Sequence, residues 1–378
     1  MKVGVPAEVK PDEYRVALTP AGVRELVDAG HEVFVQSAAG VGSAIEDPHY
    51  TTQGATIVPD AAALFAEAEL IVKVKEPQPD EIELLESRHT LFTYLHLAAD
   101  AALTQGLMQS GATCIAYETV EDSRGRLPLL APMSEVAGKI ATQAGAFMLE
   151  KPLGGRGILL GGVPGVAAAN VMVIGGGVVG MHAAFVALGM EATVYVYDRN
   201  IDRLRELDIA FGGRADTCFA TTLSIEERLP DMDLVIGAVL VPGARAPRIV
   251  TRDQLSVMKR NAVLVDVSID QGGCFETSRP TTHSDPVYEV DGVTHYCVTN
   301  MPGAVPITST YALTNATMPF VIDLASAGFV RAAEANPGLK LGVNVVAGQV
   351  TYAPVADAVG VPHVQIDDAL RDVAPAVG

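Results

Sequence analysis

The chain has 378 residues, of which 49% are hydrophobic and 19% are charged, and its formal net charge at pH 7 is -19. This length predicts two domains, and the composition excludes an intrinsically disordered chain. The excess of negative charge argues against binding to nucleic acid or to an anionic membrane surface, because both would repel the protein.

The N-terminal residues and the cysteines predict a soluble, cytoplasmic protein. Residues 1–6 lack the long apolar core of a secretory signal. The four cysteines include no C-x-x-C pair, so we expect free thiols in a reducing compartment and no metal site. Residues 157–190 contain no charged side chain. Their many glycines and Pro164 favour a loop, a buried strand and a helix over a transmembrane helix.

The first third of the chain alternates short strands with helices. Apolar runs predict strands over residues 2–6, 31–36, 70–75, 90–96 and 114–119. One helix is predicted from Thr19-Pro20, which offer a capping hydroxyl and a proline at the first helical position, to Gly30. Another helix is predicted over residues 100–110. This alternation predicts parallel sheets covered by helices on both faces.

The alternation continues through the centre of the chain. We predict a helix from Ser134, its candidate N-cap, to Glu150, followed by a glycine-rich loop. Further strands are predicted over residues 171–174, 193–197, 233–239, 262–268 and 294–298, with a helix over 181–188. The tail from Thr308 onward is predicted to be mostly helical. Because it differs from the central part, we expect it to pack on the N-terminal domain.

One glycine motif predicts a dinucleotide site. Gly175-Gly176-Gly177-Val178-Val179-Gly180 satisfies G-x-G-x-x-G between an apolar strand and a helix. Asp198 ends the following strand, where its carboxylate would accept hydrogen bonds from the adenosine ribose and repel the 2′-phosphate of NADP. Arg199 and Arg203 lie nearby and weaken that preference. The motif therefore predicts a Rossmann-type domain that binds NAD.

Several other blocks resemble the alanine dehydrogenase family, which is related to the nucleotide-binding subunit of proton-pumping transhydrogenase. These blocks, which span nearly the whole chain, are residues 5–8, 13–17, 74–77, 95–96, 131–138, 237–243, 265–273, 300–302 and 311–317. The resemblance implies an α/β fold with two doubly wound parallel-sheet domains. A Rossmann NAD-binding domain, 131–305, would be inserted into a discontinuous substrate domain, 1–130 and 306–378. It also implies an active site in the cleft and a homo-oligomer, commonly a hexamer.

Oxidative deamination of an amino acid requires a cation for the carboxylate and a group that moves protons. Arg15 is the first candidate for the carboxylate, because a guanidinium grips it with two parallel hydrogen bonds. Lys75, at the end of an apolar strand, would hold the carboxylate or polarise the carbonyl of pyruvate, and the family block falls on it and not on Lys73. The resemblance implies that His96 and Asp270 form the catalytic pair. Either one could take the first proton.

The resemblance also implies a set of cofactor contacts. These are Ser134, Gly175, Gly177, Val178, Val179, Gly180, Asp198, Arg203, Ala220, Val239, Leu240, Val267, Ser268, Ile269, Asp270, Val298, Thr299, Asn300 and Met301. Asn300 would also hydrogen-bond the substrate. Relatives often carry serine at the position of Ala220, so one hydrogen bond at the adenosine end would be missing, weakening binding by about 0.5–1.5 kcal/mol.

Two further details concern the pocket and metals. Tyr94 and Met133 are expected to wall a small pocket that suits a methyl group. Some relatives carry a metal-binding acid and histidine in the C-terminal helix, where this chain has Asp323 and Ala327. We therefore expect no metal there.

The expected function is the reversible, NAD-dependent conversion of L-alanine to pyruvate and ammonium. One alternative is a transhydrogenase nucleotide-binding subunit, which would have no use for the substrate residues. Another is a dehydrogenase of a different amino acid, such as glycine, serine or a lysine-derived substrate. A third is an NAD-binding protein whose active site is inactive, which would bind NADH without turnover.

Overall fold

The computed structural model describes residues 1–239 and 246–373. The chain forms two compact units. Unit 1 consists of Met1–Met133 and the described residues from Val305 onward, and unit 2 of Ser134–Ala304. Among the described residues, no helix is both long and apolar enough to cross a membrane.

The strands fall into three segments of the chain. The first segment contains β1 Lys2–Val5, β2 Glu32–Gln36, β3 Thr56–Val58, β4 Leu70–Val72, β5 Thr90–Thr93 and β6 Thr113–Ala116. The central segment contains β7 Asn170–Ile174, β8 Thr193–Asp198, β9 Asp216–Phe219, β10 Leu234–Gly237, β11 Val263–Asp266, β12 Val287–Val290 and β13 Val293–Tyr296. The tail contains β14 Val343–Val346 and β15 Gln349–Val350.

The α-helices follow the same division. The first segment has α1 Pro20–Asp28, α2 Asp47–Thr51, α3 Ala61–Glu67, α4 Pro79–Ile82 and α5 Ala101–Ser110. Next come α6 Ala131–Met148, α7 Val178–Gly189, α8 Ile201–Phe211, α9 Thr222–Arg228 and α10 Arg252–Leu255. The tail has α11 Pro306–Ala327, α12 Phe329–Ala335, α13 Pro337–Gly342, α14 Ala353–Val359 and α15 Ile366–Val373.

The sheet of unit 1 has the strand order β15-β14-β6-β5-β4-β1-β2-β3. Strands β1 to β6 pair in parallel, and β4, β5 and β6 are buried throughout, as the continuous apolar runs predict. The tail joins this sheet, because β14 pairs antiparallel with β6 and β15 pairs antiparallel with β14. The two ends of the chain therefore share one sheet.

The sheet of unit 2 has the order β12-β13-β11-β10-β7-β8-β9. Without the antiparallel edge strand β12, this is the 3-2-1-4-5-6 order of a Rossmann sheet. The prediction of an α/β fold with two parallel-dominated sheets is confirmed. Both sheets differ from a purely parallel arrangement only at one edge, where antiparallel strands are added.

Several predicted boundaries were wrong. The predicted helix from Ser134 begins earlier, at Ala131, so Ser134 lies inside the first turn of α6 and is not its N-cap. The predicted strand 90–96 ends at Thr93, because the chain turns out of the sheet and His96 adopts a left-handed conformation. Strands β3, β9, β12, β14 and β15 were not predicted, since each is short and lies at or near a sheet edge.

Candidate active site

The carboxyl ends of four neighbouring parallel strands form one edge of the unit 1 sheet. The segments after β1, β4, β5 and β6 carry Glu8, Lys75, His96 and Glu118 in that order. Strand β1 pairs with β2 on one side and with β4 on the other, so the strand order reverses between β1 and β4. Ligands of open α/β sheets bind at such a switch point, beyond the carboxyl ends of the strands.

Arg15 lies beside this edge, buried and paired with Glu13. Its Nε and NH2 donate to the two carboxylate oxygens of Glu13, at 2.7 and 2.5 Å, and its NH1 donates to the sulfur of Met133 at 3.0 Å. Burial acts to raise the pKa of Glu13, but the hydrogen bonds and charge of Arg15 bring it below its ordinary value. Glu13 occupies the Nε–NH2 edge of the guanidinium, so a carboxylate ligand would have to approach Arg15 from the side of NH1, which also contacts Met133.

Lys75 adds a second cation near Arg15. Its side chain is partly buried, and no hydrogen bond or ion pair joins its ammonium to another residue in the described ranges. Burial lowers the pKa of Lys75, and the nearby positive charge of Arg15 lowers it further. Glu76 and Glu13 oppose this shift from a distance, but neither forms an ion pair with Lys75 in the described ranges, so the two cations form a place where an anion would be stabilised.

Lys73, by contrast, is occupied by an internal ion cluster. Its ammonium is fully buried and lies 2.6 Å from Glu81 and 3.4 Å from Glu8. The Glu8 carboxylate also accepts hydrogen bonds from the backbone N–H groups of Val74, at 2.7 Å, and Lys75, at 3.3 Å. The cluster therefore fixes the backbone from which Lys75 extends.

His96 follows β5 in a left-handed conformation, with φ 51° and ψ 38°. The Glu118 carboxylate accepts hydrogen bonds from the backbone N–H of His96, at 2.6 Å, and from that of Leu95, at 3.2 Å. The imidazole stacks on the ring of Tyr94 with a centroid distance of 5.9 Å and an interplanar angle of 5°. Half of the His96 side chain is exposed, so the ring is open to a ligand.

Tyr94 and Met133, the expected pocket walls, are both buried in unit 1. The Tyr94 hydroxyl donates to the backbone carbonyl of Leu129 at 2.5 Å, and burial raises its pKa. Met133 contacts Arg15 as described above, and Tyr94 contacts His96. The Tyr94 ring and the Met133 side chain therefore border the polar groups of this edge.

In unit 2 the glycine motif forms the turn between β7 and α7. Gly175 has φ 101°, a conformation that disfavours a side chain, and a Cβ there would lie 2.5 Å from the carbonyl oxygen of Ala238. A Cβ on Gly180 would collide with the carbonyl oxygen of Gly175, whereas a Cβ on Gly177 would meet nothing within 4 Å. The turn is thus closely packed at Gly175 and Gly180 and open at Gly177, where α7 begins without a side-chain cap. This shape fits a dinucleotide pyrophosphate at a helix N-terminus.

Asp198 and Arg203 flank this turn. One carboxylate oxygen of Asp198 accepts from the backbone N–H of Gly176 at 2.7 Å, and the other from Asn200 at 2.8 Å. Arg203 Nε donates to the carbonyl of Gly176 at 2.6 Å. The backbone N–H of Ala220 donates to the carbonyl of Asp198 at 2.9 Å. The carboxylate therefore lies directly beside the glycines, where the fingerprint expects it to meet a ribose.

Asp270 lies on a short 3-10 helix, Val267–Gln271, that follows β11. The buried Asp266 organises this segment by accepting hydrogen bonds from the backbone of Ser268, at 3.0 Å, and Cys274, at 2.9 Å. The Ser268 hydroxyl donates to the carbonyl of Val239 at 2.8 Å, which links the ends of β10 and β11. The Asp270 side chain is exposed. Leu240, another expected cofactor contact, lies outside the described residues.

The remaining predicted contacts lie on two other segments of unit 2. Asn300 has φ 60°, and its carbonyl oxygen lies 3.0 Å from Nε2 of His283. Beside it Val298 and Met301 are buried, and the backbone N–H of Thr299 donates to the carbonyl of Thr281 at 3.1 Å. The helix α6 that carries Ser134 crosses the glycine turn closely: a Cβ on Gly138 would collide with the carbonyl oxygen of Val179.

The comparisons with known proteins cover the same two parts of the chain. The model of the alanine dehydrogenase/PNT N-terminal domain matches residues 4–137, and that of the C-terminal domain matches residues 141–353. The chain belongs to the alanine dehydrogenase/PNT family.

Individual members of the alanine dehydrogenase/PNT family are similar over nearly their whole length. An alanine dehydrogenase of Halomonas elongata is 59% identical over 365 residues, which are 97% of this chain and 98% of that relative. A solved L-alanine dehydrogenase matches with a TM-score of 0.92 and 49% identity, over 95% of this chain and 99% of the other. A transhydrogenase structure from Sinorhizobium meliloti matches with a TM-score of 0.79 and 26% identity, over 93% and 99%. Similarity is therefore greater to the alanine dehydrogenases.

Sequence reasoning missed Glu13 and Glu118, the carboxylates that hold Arg15 and His96. Glu13 stands in the quoted block next to Arg15, and the spacing of a strand-like segment, with both side chains on one face, is a signal for their pairing. Glu118 follows β6 as His96 follows β5, so neighbouring strand ends would have pointed to it. No group of three or more metal-binding side chains occurs within the described ranges.

Proposed function

We propose that this protein is an NAD-dependent L-alanine dehydrogenase, in which L-alanine, NAD and water give pyruvate, ammonium, NADH and a proton. The observation that carries the proposal is the pair of cations at the switch point of unit 1. Burial and the charge of Arg15 lower the pKa of Lys75, and its ammonium forms no ion pair within the described residues. Membership of the family, and relatives that are named alanine dehydrogenases, give further support.

Arg15 and Lys75 would hold the carboxylate of the substrate. The guanidinium is fixed by Glu13, and the backbone of Lys75 by Glu8, so neither cation loses much freedom when the ligand binds. Because Glu13 neutralises Arg15, the positive charge of Lys75 supplies most of the attraction for the anion.

His96 would move the protons, with Asp270 as a second proton carrier or as the group that orients its imidazole. An imidazole changes charge near neutral pH, so it can take a proton from the substrate ammonium and later assist the attack of water on the imine. The exposed ring of His96 on the rigid face of Tyr94 suits that role. When bound, the nicotinamide accepts hydride from the substrate Cα.

The glycine turn, with Asp198 and Arg203, would bind the dinucleotide, assisted by the other cofactor contacts inferred from the sequence. The carboxylate of Asp198 favours NAD over NADP, because a 2′-phosphate would bring a second negative charge beside it. The proposal includes a homohexamer, which the family resemblance implies, and a cytoplasmic location, which the free cysteines favour. Sedimentation velocity of the purified protein tests the oligomeric state.

The deciding experiment follows NADH absorbance when NAD and L-alanine are mixed with the purified protein at mildly alkaline pH. Parallel reactions contain D-alanine, glycine, L-serine, or NADP in place of NAD. We expect rapid NADH formation with L-alanine and NAD, abolished in His96→Ala and retained in the control His49→Ala, which alters an exposed histidine. NADH binding without turnover in either direction would reject the proposal in favour of a transhydrogenase-like or inactive nucleotide binder.

A further inference from the structure

We propose that Glu118 is a positioning residue that holds His96 in its left-handed conformation for proton transfer. This inference rests on the proposed function, because it assigns Glu118 a part in the same reaction. Glu118 lies on a short 3-10 helix, Tyr117–Thr119, directly after β6, which is the neighbour of the strand that leads to His96. It therefore reaches His96 across adjacent strand ends.

The conformation of His96 is the first step of the argument. A residue with a Cβ seldom adopts φ 51° and ψ 38°, because the Cβ crowds the following carbonyl group. Such a residue persists only where its surroundings hold it, and strained backbone of this kind is concentrated at functional sites. A neighbouring group must therefore hold the backbone of His96 in this conformation.

The Glu118 carboxylate provides that hold. One oxygen accepts from the backbone N–H of His96 at 2.6 Å and from that of Leu95 at 3.2 Å, and the second oxygen also accepts from Leu95 at 3.2 Å. Charge-assisted bonds of this kind are about twice as strong as neutral ones. Because β5 ends at Thr93, these two N–H groups lie beyond the sheet ladder, and the carboxylate takes the place of a neighbouring strand.

The position of the imidazole is the second step. The φ and ψ angles of His96 set the direction of its Cβ, and the ring then lies parallel to Tyr94 with half of the side chain exposed. Glu118 Oε1 is 3.9 Å from Nδ1 of His96, which is too far for a hydrogen bond. The structure therefore assigns Glu118 an action through the backbone of His96 and not through its ring.

The test compares Glu118→Ala and Glu118→Gln with the wild-type enzyme. The matched control is Glu121→Gln. Glu121 lies just after the 3-10 helix that carries Glu118, and its carboxylate accepts no hydrogen bond from the residues that the structure describes. Steady-state rates with L-alanine and NAD give kcat and KM, and NADH fluorescence gives the dissociation constant. A displaced proton-transfer group costs about 100-fold in rate.

For Glu118→Ala we expect kcat to fall about 100-fold while KM for L-alanine and the affinity for NADH stay within about twofold, because Arg15, Lys75 and the glycine turn are untouched. Glu118→Gln keeps one carbonyl acceptor, so its kcat should fall about tenfold. A larger solvent deuterium isotope effect on kcat should accompany both losses. Glu121→Gln should match the wild type.

Two kinetic results would overturn the inference. One is a kcat within about twofold of wild type in Glu118→Gln. This variant is the one most suited to the test, because glutamine has the shape of glutamate and the protein should fold. The other is a loss shared equally by kcat, KM and NADH affinity, which would indicate general damage. If the wild-type protein itself does not turn over L-alanine, the proposed function fails instead. The crystal structure of Glu118→Ala then tests Glu118 alone: retention of a positive φ at His96 without the acceptor would reject it.

Discussion

The candidate ligand sites of the two units are built in opposite ways. In unit 2 the site depends on side chains that are absent: Gly175, Gly177 and Gly180 bring backbone N–H groups to the surface of a turn. In unit 1 it depends on charged side chains that are buried in pairs, such as Arg15 with Glu13. The difference suits the ligands expected for each, because a pyrophosphate can be held by a helix N-terminus, whereas a small carboxylate needs cations.

The comparison also teaches where each site is fragile. In a buried ion pair, the attraction between the two charges offsets the cost of removing both from water. Removal of one partner therefore leaves an uncompensated charge in the interior. A glycine turn contains no such partner, and it is damaged by added volume instead. Unit 1 should therefore be sensitive to deletion of a charge, and unit 2 to addition of a methyl group.

The largest effect is expected for Arg15→Met. This change removes the buried guanidinium that donates to both Glu13 carboxylate oxygens, so the free energy of unfolding should fall by about 3–5 kcal/mol. Urea unfolding followed by circular dichroism measures the loss. Activity with L-alanine should disappear, while the affinity for NADH, which depends on unit 2, is retained wherever the protein stays folded. Arg24→Met is the control, because the Arg24–Asp28 pair is exposed and adds little. Equal losses in both variants would contradict the comparison.

A pair of glycine substitutions tests unit 2. Gly180→Ala places a methyl group against the Gly175 carbonyl, so we expect a loss of about 1–3 kcal/mol in stability together with weaker NADH binding. Gly177→Ala meets no neighbouring atom, so its stability should change by less than about 0.5 kcal/mol although NADH binding is lost. Urea unfolding and NADH fluorescence titration separate the two effects. Gly189→Ala, at the far end of α7, is the control. NADH affinity that survives Gly177→Ala would show that the open side of the turn is not the phosphate site.

The smallest expected effect is a pH dependence of carboxylate binding in unit 1. Burial and the charge of Arg15 lower the pKa of Lys75 below 10.5, so its ammonium loses its proton as the pH rises through that lowered value. Over the same range folding should become slightly more favourable, because the unfolded chain still binds the proton. Affinity for propionate, an unreactive carboxylate, should fall by up to about tenfold per pH unit above the lowered pKa.

Titration of the NADH-bound enzyme with propionate at several pH values measures this decrease. Lys75→Gln should bind propionate weakly and show no such slope, and NADH affinity should stay constant over the same range. The same slope in Lys75→Gln would assign the titration to another group and remove Lys75 from the carboxylate site.

Local patterns account for most of what was predictable. The glycine motif, the apolar strand before it and Asp198 after it lie within one continuous stretch, so spacing alone indicates their arrangement. Strands with buried, continuous apolar runs, such as β7 and β10, were also readable. The short edge strands were not, because an edge strand such as β15 has few apolar side chains to mark it.

The sequence by itself determined the α/β class, the glycine turn between a strand and a helix, and the identity of the charged residues at strand ends, since each depends on neighbours within a few positions. Only the tertiary structure decided which charges meet. Glu8 and Lys73 are far apart in the chain, as are His96 and Glu118, and each pair forms because parallel pairing brings separate strand ends to one edge. The physical reason is that burying a charge costs free energy unless an opposite charge lies close by. The order of the strands in the sheet, and not the spacing in the sequence, decides which charged side chain lies close by.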